Sequence, residues 1–454
     1  MSEAEVRRWL SWLLFLVAAL VYANTLSNGF AQDDHYYIVG NQDIRNAPWR
    51  LLSTAYVLSG VYRPVTMLSY ALNYWTLGMQ PFGFHLLNLL LHGAVTVLLY
   101  RLIITLLAAP RAALAAAALF AVHPIHTEAV AAAVGRAELL AAALLLAGWL
   151  FHLSGRFTLA AAAFLLAMLS KESAAVVVAL VPLGDYVSRR IPARWGLVYG
   201  RYAIAFAVFF DLQWNAGGMR GGEMVAVNDN PLAPLPGGWR VLNALRVAWK
   251  YVALQLYPAT FSADYSFNAV PVYREFGALM PAALGALAVL AIWVWSLLRR
   301  TGVALALGIY LIGFALTANV LLPIGTIMGE RLAYFPSAGL CLLAGLGWQW
   351  LQSRPRTAAL ALLVVACTAL AARTVVRNRD WRDDTALWTA AARAVPSSAK
   401  ARHNLGVIYM NAGDLVRARE EFDAAYRINP DYPDRKSTRL NSSHIQKSRM
   451  PSSA

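Results

Sequence analysis

The chain has little charge and almost no cysteine. Of its 454 residues, 14% are Asp, Glu, Lys or Arg and 59% are hydrophobic. A water-soluble fold of this length has no interior large enough to hide so much Leu, Ala and Val, so a soluble globular protein is excluded. The two cysteines, Cys341 and Cys367, fall inside apolar runs. That excludes a disulfide framework and leaves them as small fillers. Acidic residues are scarcer than basic ones, 24 against 39, for a formal charge of +15. The excess does not point to nucleic acid. Arginines gather at Arg7-Arg8, Arg189-Arg190, Arg299-Arg300 and Arg354 with Arg356, flanking apolar segments. Such clusters mark the cytoplasmic ends of membrane spans, with attraction to anionic lipid headgroups as a further consequence.

What is present is a succession of apolar segments, near 10–25, 85–107, 112–123, 137–153, 157–169, 173–188, 196–211, 276–298, 302–322, 336–351 and 357–373. The fold class is therefore an all-α polytopic membrane protein. About 11 spans are expected, although several runs are shorter than the roughly 20 residues needed to cross hydrocarbon. The N-terminus reads as an uncleaved signal anchor, because Ala23-Asn24-Thr25 is a poor cleavage site. An odd number of spans puts the termini on opposite sides, with Arg7-Arg8 inside and the C-terminal module outside. The segment 240–258 carries Arg240, Arg246 and Lys250 among apolar residues at helical spacing. It reads as an amphipathic helix at the outer interface, the alternative being a further span. Outer loops are expected over 24–84, 212–275 and 323–335. The second is rich in glycine, at Gly217-Gly218 and Gly221-Gly222.

The membrane domain is expected over 1–375 and a second module over 380–432. In that module Leu405, Gly406, Tyr409, Gly413, Ala418, Phe422, Ala425 and Pro430 have tetratricopeptide spacing. Trp388, Ala391 and Pro396 sit one 34-residue period earlier, as in the second helix of a preceding repeat. One and a half repeats do not fold as a free solenoid, because each unit needs neighbours to bury its face. The tail 435–454 is polar, basic and serine-rich, and reads as disorder or foreign sequence.

Charged side chains at membrane depth need a partner or a task. Asp33-Asp34, directly beyond the first span, is the leading catalytic candidate. Adjacent carboxylates point apart in any regular element, so one is expected to serve chemistry and the other to orient. Arg63, beside Tyr62 and Pro64, suits a phosphate contact or headgroup snorkelling. His85, Asn88 and His92 form a polar stripe on the second span, either packing glue or a cavity lining. His123, His126 and Glu128 favour hydrogen bonding or substrate contact. Their spacing matches no strong metal signature, and a divalent metal is not indicated. Lys171-Glu172 and Glu330-Arg331, the latter followed by Tyr334, are each either a neutralising pair or an anion contact. Basic groups at three outer sites suit a lipid-linked phosphate.

These motifs, in order, resemble the transmembrane and tetratricopeptide-repeat O-mannosyltransferases and their bacterial relatives. The resemblance runs over about 10–432. It rests on Tyr22, Asn24, Gly29-Phe30, Asp33-Asp34 and Tyr62-Arg63-Pro64, then His85, Asn88 and His92 with HPIHTEAV at 123–130. It continues with Ser170-Lys171-Glu172, Asp229-Asn230-Pro231, Ser262-Ala263-Asp264-Tyr265-Ser266 and Glu330-Arg331 before Tyr334-Phe335-Pro336-Ser337. It implies a GT-C-like bundle, a polyprenyl-phosphate hexose as donor, mannose in the family, and a protein hydroxyl as acceptor recognised through the repeat. It also implies catalysis at the outer face of a bacterial inner membrane, with Asp33 or Asp34 as base. The rival expectation is a non-catalytic scaffold that binds envelope proteins through the repeat.

Overall fold

The computed structural model describes residues 2–53, 62–217, 225–352 and 356–430. The tail 435–454, Arg354, Gly218, Gly221 and Gly222 lie outside the described residues. Among those described, every regular element is helical. The helices of eight residues or more are α1 (Glu3–Tyr22), α2 (Pro64–Leu77), α3 (Pro81–Leu107), α4 (Pro110–Val122), α5 (Arg136–Leu153) and α6 (Phe157–Ser170). They continue as α7 (Val177–Ser188), α8 (Trp195–Asn215), α9 (Gly237–Leu256), α10 (Phe276–Leu298), α11 (Gly302–Phe314) and α12 (Ser337–Leu351). The last four are α13 (Arg356–Asn378), α14 (Asp384–Ala394), α15 (Ala399–Asn411) and α16 (Leu415–Ile428). Three consecutive helices, α2 to α4, start on proline, whose fixed φ suits the first turn and whose missing N–H costs nothing there.

Among the described residues, six helical segments are long and apolar enough to cross a membrane: Glu3–Ser27, Pro81–Leu107, Ala133–Leu153, Trp195–Asn215, Phe276–Leu298 and Thr357–Trp381. A seventh arises if Pro110–Val122 and Pro124–Ala131, bent by 51° at His123, count as one. The expected 11 spans are therefore not confirmed. Helices α6, α7, α11 and α12 have 14, 12, 13 and 15 residues. At about 1.5 Å per residue they fall short of a hydrocarbon core about 30 Å thick. Counting apolar runs took these short helices as spans, and the parity argument for the termini goes with the count. Helix α9 is not among the six.

The chain divides into two compact units. The first comprises the described residues up to 217, together with 284–317 and 331–381. Its interior is built on small residues. Ala112, Ala113, Ala115, Ala116 and Ala117 of α4 are all buried, which lets α12 lie close against that helix. Helix α1 runs antiparallel to α3, and Phe15 packs directly on Gly93.

The second unit comprises described residues 225–283, 318–330 and 382–430. The domain boundary expected near 375–380 followed hydropathy, whereas packing joins the repeat to two loops. Gly406 lies so close to Phe422 that a Cβ would meet its ring at 2.7 Å, which is how α15 and α16 pair. Trp388, Ala391, Ala392, Ala401 and Leu405 form a small core against which Ala263 packs. Ser398 donates to Asp264 at 2.6 Å, Lys400 pairs with Asp229 at 2.8 Å, and Asn429 donates to Asn228 at 2.9 Å. The loop supplies the neighbour that a short repeat array needs.

Candidate active site

The site begins where the first apolar helix ends. Beyond α1 the chain makes a 3₁₀ turn, Ala23–Ser27, which α13 ties in place. The Asn24 amide donates to the Val375 carbonyl (2.9 Å), and the Asn378 amide donates to the Val21 carbonyl (3.2 Å) and to Asn24 Oδ1 (2.8 Å). Gln32 then takes a left-handed conformation, φ +52°, and turns the chain into the acidic pair.

The two carboxylates diverge. Asp34 is wholly buried. Its Oδ2 accepts the N–H groups of Ala31 and Ala133, both at 3.2 Å, and its Oδ1 accepts that of Val134 at 2.8 Å. Burial raises this carboxyl to about 6, against the pull of those three donors. The 129–135 turn can present its N–H groups only because residue 135 is glycine. A Cβ there would lie 2.2 Å from the Ala129 carbonyl oxygen. Asp34 thus staples the first loop to the start of α5 and leaves Asp33 facing a cavity.

That cavity measures about 150 Å³ and is lined by Asp33, Tyr37, Arg63, Thr66, Met67, Tyr70, Val134, Gly135, Ala137, Glu138, Lys171 and Arg331. Its charges come in pairs. Arg331 Nη1 lies 3.1 Å from Asp33 Oδ2 and 3.4 Å from Glu128 Oε1, while its backbone N–H donates to Glu128 Oε2 at 2.9 Å. Lys171 pairs with Glu138. Arg63 makes a two-pronged contact with Glu172, at 2.6 and 2.9 Å. Burial alone would raise the Glu172 carboxyl, but the Arg63 guanidinium overrides it and holds the group at about 2. Burial presses the Lys171 ammonium below the usual lysine value, against the attraction of Glu138. Two tyrosines, a threonine, two carboxylates and three cations thus line one opening, a set of polar groups able to orient a small polar ligand.

The remaining candidates lie elsewhere. His85, His92, His123, His126 and Tyr334 are buried but do not line the cavity. His85 Nε2 donates to the Gly29 carbonyl at 3.1 Å. His92 Nε2 meets the Ala121 carbonyl at 3.2 Å, which can only accept, so its Nδ1 accepts from the Tyr334 hydroxyl at 2.8 Å. His126 Nε2 donates to Ser337 Oγ at 2.7 Å, because that hydroxyl already donates to the Tyr334 carbonyl. Beside the bend between Val122 and Pro124, His92 meets the Ala121 carbonyl and His123 Nδ1 accepts the Ile125 N–H at 3.1 Å. Among the described residues, no group of three or more His, Cys, Asp or Glu side chains is placed to hold a metal ion. Glu330 belongs to the second unit, where it accepts from the Ser262 N–H at 2.7 Å and the Tyr265 hydroxyl at 2.8 Å.

Of the sequence candidates, the cavity brings together Asp33, Arg63, Lys171 and Arg331, with Glu172 and Glu128 one contact behind. Glu138, Tyr37, Tyr70 and Gly135 were missed, as was Arg136. Fully buried, Arg136 donates to Asn88 Oδ1 (3.1 Å), Asn73 Oδ1 (2.9 Å) and the Phe84 and Ser69 carbonyls (both 3.1 Å). A charge inside an apolar run was the available signal for both Arg136 and Glu138.

Fold and cavity define a polytopic helical membrane protein with a charged pocket and a tetratricopeptide module. A tetratricopeptide-repeat family model matches residues 399–432. Over 92% of its length the chain is 27% identical to the mouse protein O-mannosyl-transferase TMTC3, covering 51% of that protein. Over 90% of its length it is 28% identical to mouse protein O-mannosyl-transferase TMTC4, covering 65% of it. It is 36% identical to Drosophila melanogaster protein O-mannosyl-transferase Tmtc2 over 56% of the chain, covering 30% of that protein. The chain is thus a relative of the transmembrane and tetratricopeptide-repeat O-mannosyl-transferases, and it spans about half to two thirds of the length of the first two.

Proposed function

We propose that this chain is a membrane glycosyltransferase. It moves a hexose, mannose by analogy with its relatives, from a polyprenyl-phosphate donor to a protein Ser/Thr hydroxyl on the outer face of a bacterial inner membrane. The observation that carries this reading is the cavity in which Asp33 stands 3.1 Å from Arg331 with Arg63 and Lys171 on the same walls. In the reaction the acceptor oxygen bonds to the anomeric carbon as the bond from that carbon to the phosphate oxygen breaks. The hydroxyl proton passes to Asp33, and the lipid phosphate leaves as an anion held by the three cations. A stable anionic leaving group needs no strong acid, and a single displacement inverts the anomeric centre. The repeat module presents the acceptor protein.

The test is transfer of labelled hexose by the purified full chain, with a panel of polyprenyl-phosphate sugars and envelope proteins. Label entering protein, and disappearing in a folded Asp33→Asn variant, supports the reading. A folded preparation that neither transfers nor hydrolyses any donor, yet captures envelope proteins through the repeat, favours the scaffold instead.

A further inference from the structure

A second polar constellation lies at the other end of the first unit. Asp33 follows the end of α1, whereas Arg7 and Arg8 stand near its start, and a 20-residue helix separates the two ends by about 30 Å. There α1 and α3 part into a cleft. One stretch, about 660 Å³, is bordered by Arg7, Arg8 and Arg101 with Ser11, Tyr100 and Thr105. The other, about 510 Å³, continues from Arg8, Ser11 and Arg101 along Trp12, Phe15, Val97 and Leu98. The two share their basic residues, so a charged mouth opens onto an almost wholly apolar groove. Phe15 closes the groove by packing on Gly93.

The charge balance of the mouth is unequal. Glu3 lines it and takes Arg7 at 3.2 Å. Arg8 and Arg101 are exposed and make no ion pair among the described residues. Arg101 is the harder to explain, because it sits six residues inside a 27-residue apolar helix that qualifies as a membrane span. An exposed guanidinium there is costly unless something anionic meets it at the edge of the hydrocarbon.

We infer that this cleft binds an anionic glycerophospholipid. The headgroup phosphate lies between Arg8 and Arg101, and one acyl chain follows Trp12, Phe15, Val97 and Leu98. A free phosphate would leave the apolar groove unused, and a neutral lipid would leave both guanidiniums unmatched. Basic pockets between spans are suited to such headgroups, each arginine near the surface strengthening attachment several-fold. The site is independent of the sugar-transfer reading, since none of its residues lines the charged cavity.

The test uses the delipidated full chain in detergent, titrated with phosphatidylglycerol or phosphatidylcholine of matched acyl chains and followed by native mass spectrometry. Phosphatidylglycerol is expected to bind the more tightly. In Arg8→Gln/Arg101→Gln its affinity falls about 30-fold, with the melting temperature of the lipid-free protein retained. Should the double variant fail to fold, Arg101→Gln alone is expected to lose about 5-fold. Val97→Trp, which fills the groove and keeps the arginines, weakens binding as well. Equal binding of the two lipids, or undiminished binding by the arginine variants, overturns the inference. So does a cleft that takes polyprenyl phosphate and refuses phosphatidylglycerol.

Discussion

Asp33 and Asp34 are neighbours in sequence, and replacing them should produce opposite phenotypes. In Asp34→Ala the N–H groups of Ala31, Ala133 and Val134 lose their acceptor in a site that excludes solvent. Leaving a buried donor unsatisfied costs about 1–3 kcal/mol, so the three together put the loss at about 3–9 kcal/mol. Asp34→Asn keeps one accepting oxygen but turns an NH₂ toward an N–H, and should cost about 1–3 kcal/mol. Asp33 is different. Its carboxylate is about one third exposed, and Arg331 keeps Glu128 when Asp33 is neutralised. Asp33→Asn should therefore change stability by no more than about 1 kcal/mol while removing sugar transfer. The assay is unfolding in mixed micelles by increasing SDS, followed by tryptophan fluorescence, beside the transfer measurement on the same preparations. An Asp34→Ala protein that unfolds with the wild type would refute the staple. An Asp33→Asn protein that transfers normally would refute the base.

Gly135→Ala should destabilise by about 1–3 kcal/mol, since the Cβ can be accommodated only by moving backbone; the same unfolding assay checks it. Arg63→Gln tests the electrostatics of the cavity wall. Glu172 is held at about 2 against an ordinary 4.5, so the pair's contribution is complete above pH 4.5 and disappears as the pH falls through 2. The difference in melting temperature between wild type and Arg63→Gln should close over that window. A difference independent of pH would mean the pair acts by packing. Ser398→Ala should loosen the repeat from its loop and speed protease cleavage within 399–430, leaving the fragment 2–217 intact on gels.

The cavity's cations were legible because charge is rare in this chain and each falls in a break between apolar runs. Their partners were not. Lys171 and Glu172 look like a self-neutralising pair, yet Lys171 is extended, φ −156° and ψ 132°, which sends neighbouring side chains apart. Lys171 reaches Glu138 on α5, and Glu172 reaches Arg63 before α2, contacts 33 and 109 residues away. Glu138 was overlooked together with Arg136, two residues earlier in the first turn of the same helix. The histidines carried a different ambiguity. A His at a bend can bind a substrate or satisfy a carbonyl, and spacing does not distinguish these. The repeat was plain because its spacing is local. Its attachment to Asp229 and Asp264 was hidden, since pairing between distant loops leaves no periodic trace.

If the cavity takes the phosphate of the proposed donor, its paired charges also impose an order of events. With no ligand bound, each guanidinium or ammonium already holds a carboxylate, so the pocket is internally occupied by its own placeholders. An arriving phosphate gains only the difference between its own grip on Arg331 and that of Asp33. Weakly charged anions cannot win that exchange, which makes the occupied pocket a threshold filter. A group dense enough to win it displaces Asp33 from Arg331 and leaves that carboxylate without a partner. The donor would thus uncover the base, and an acceptor arriving first would find it still engaged.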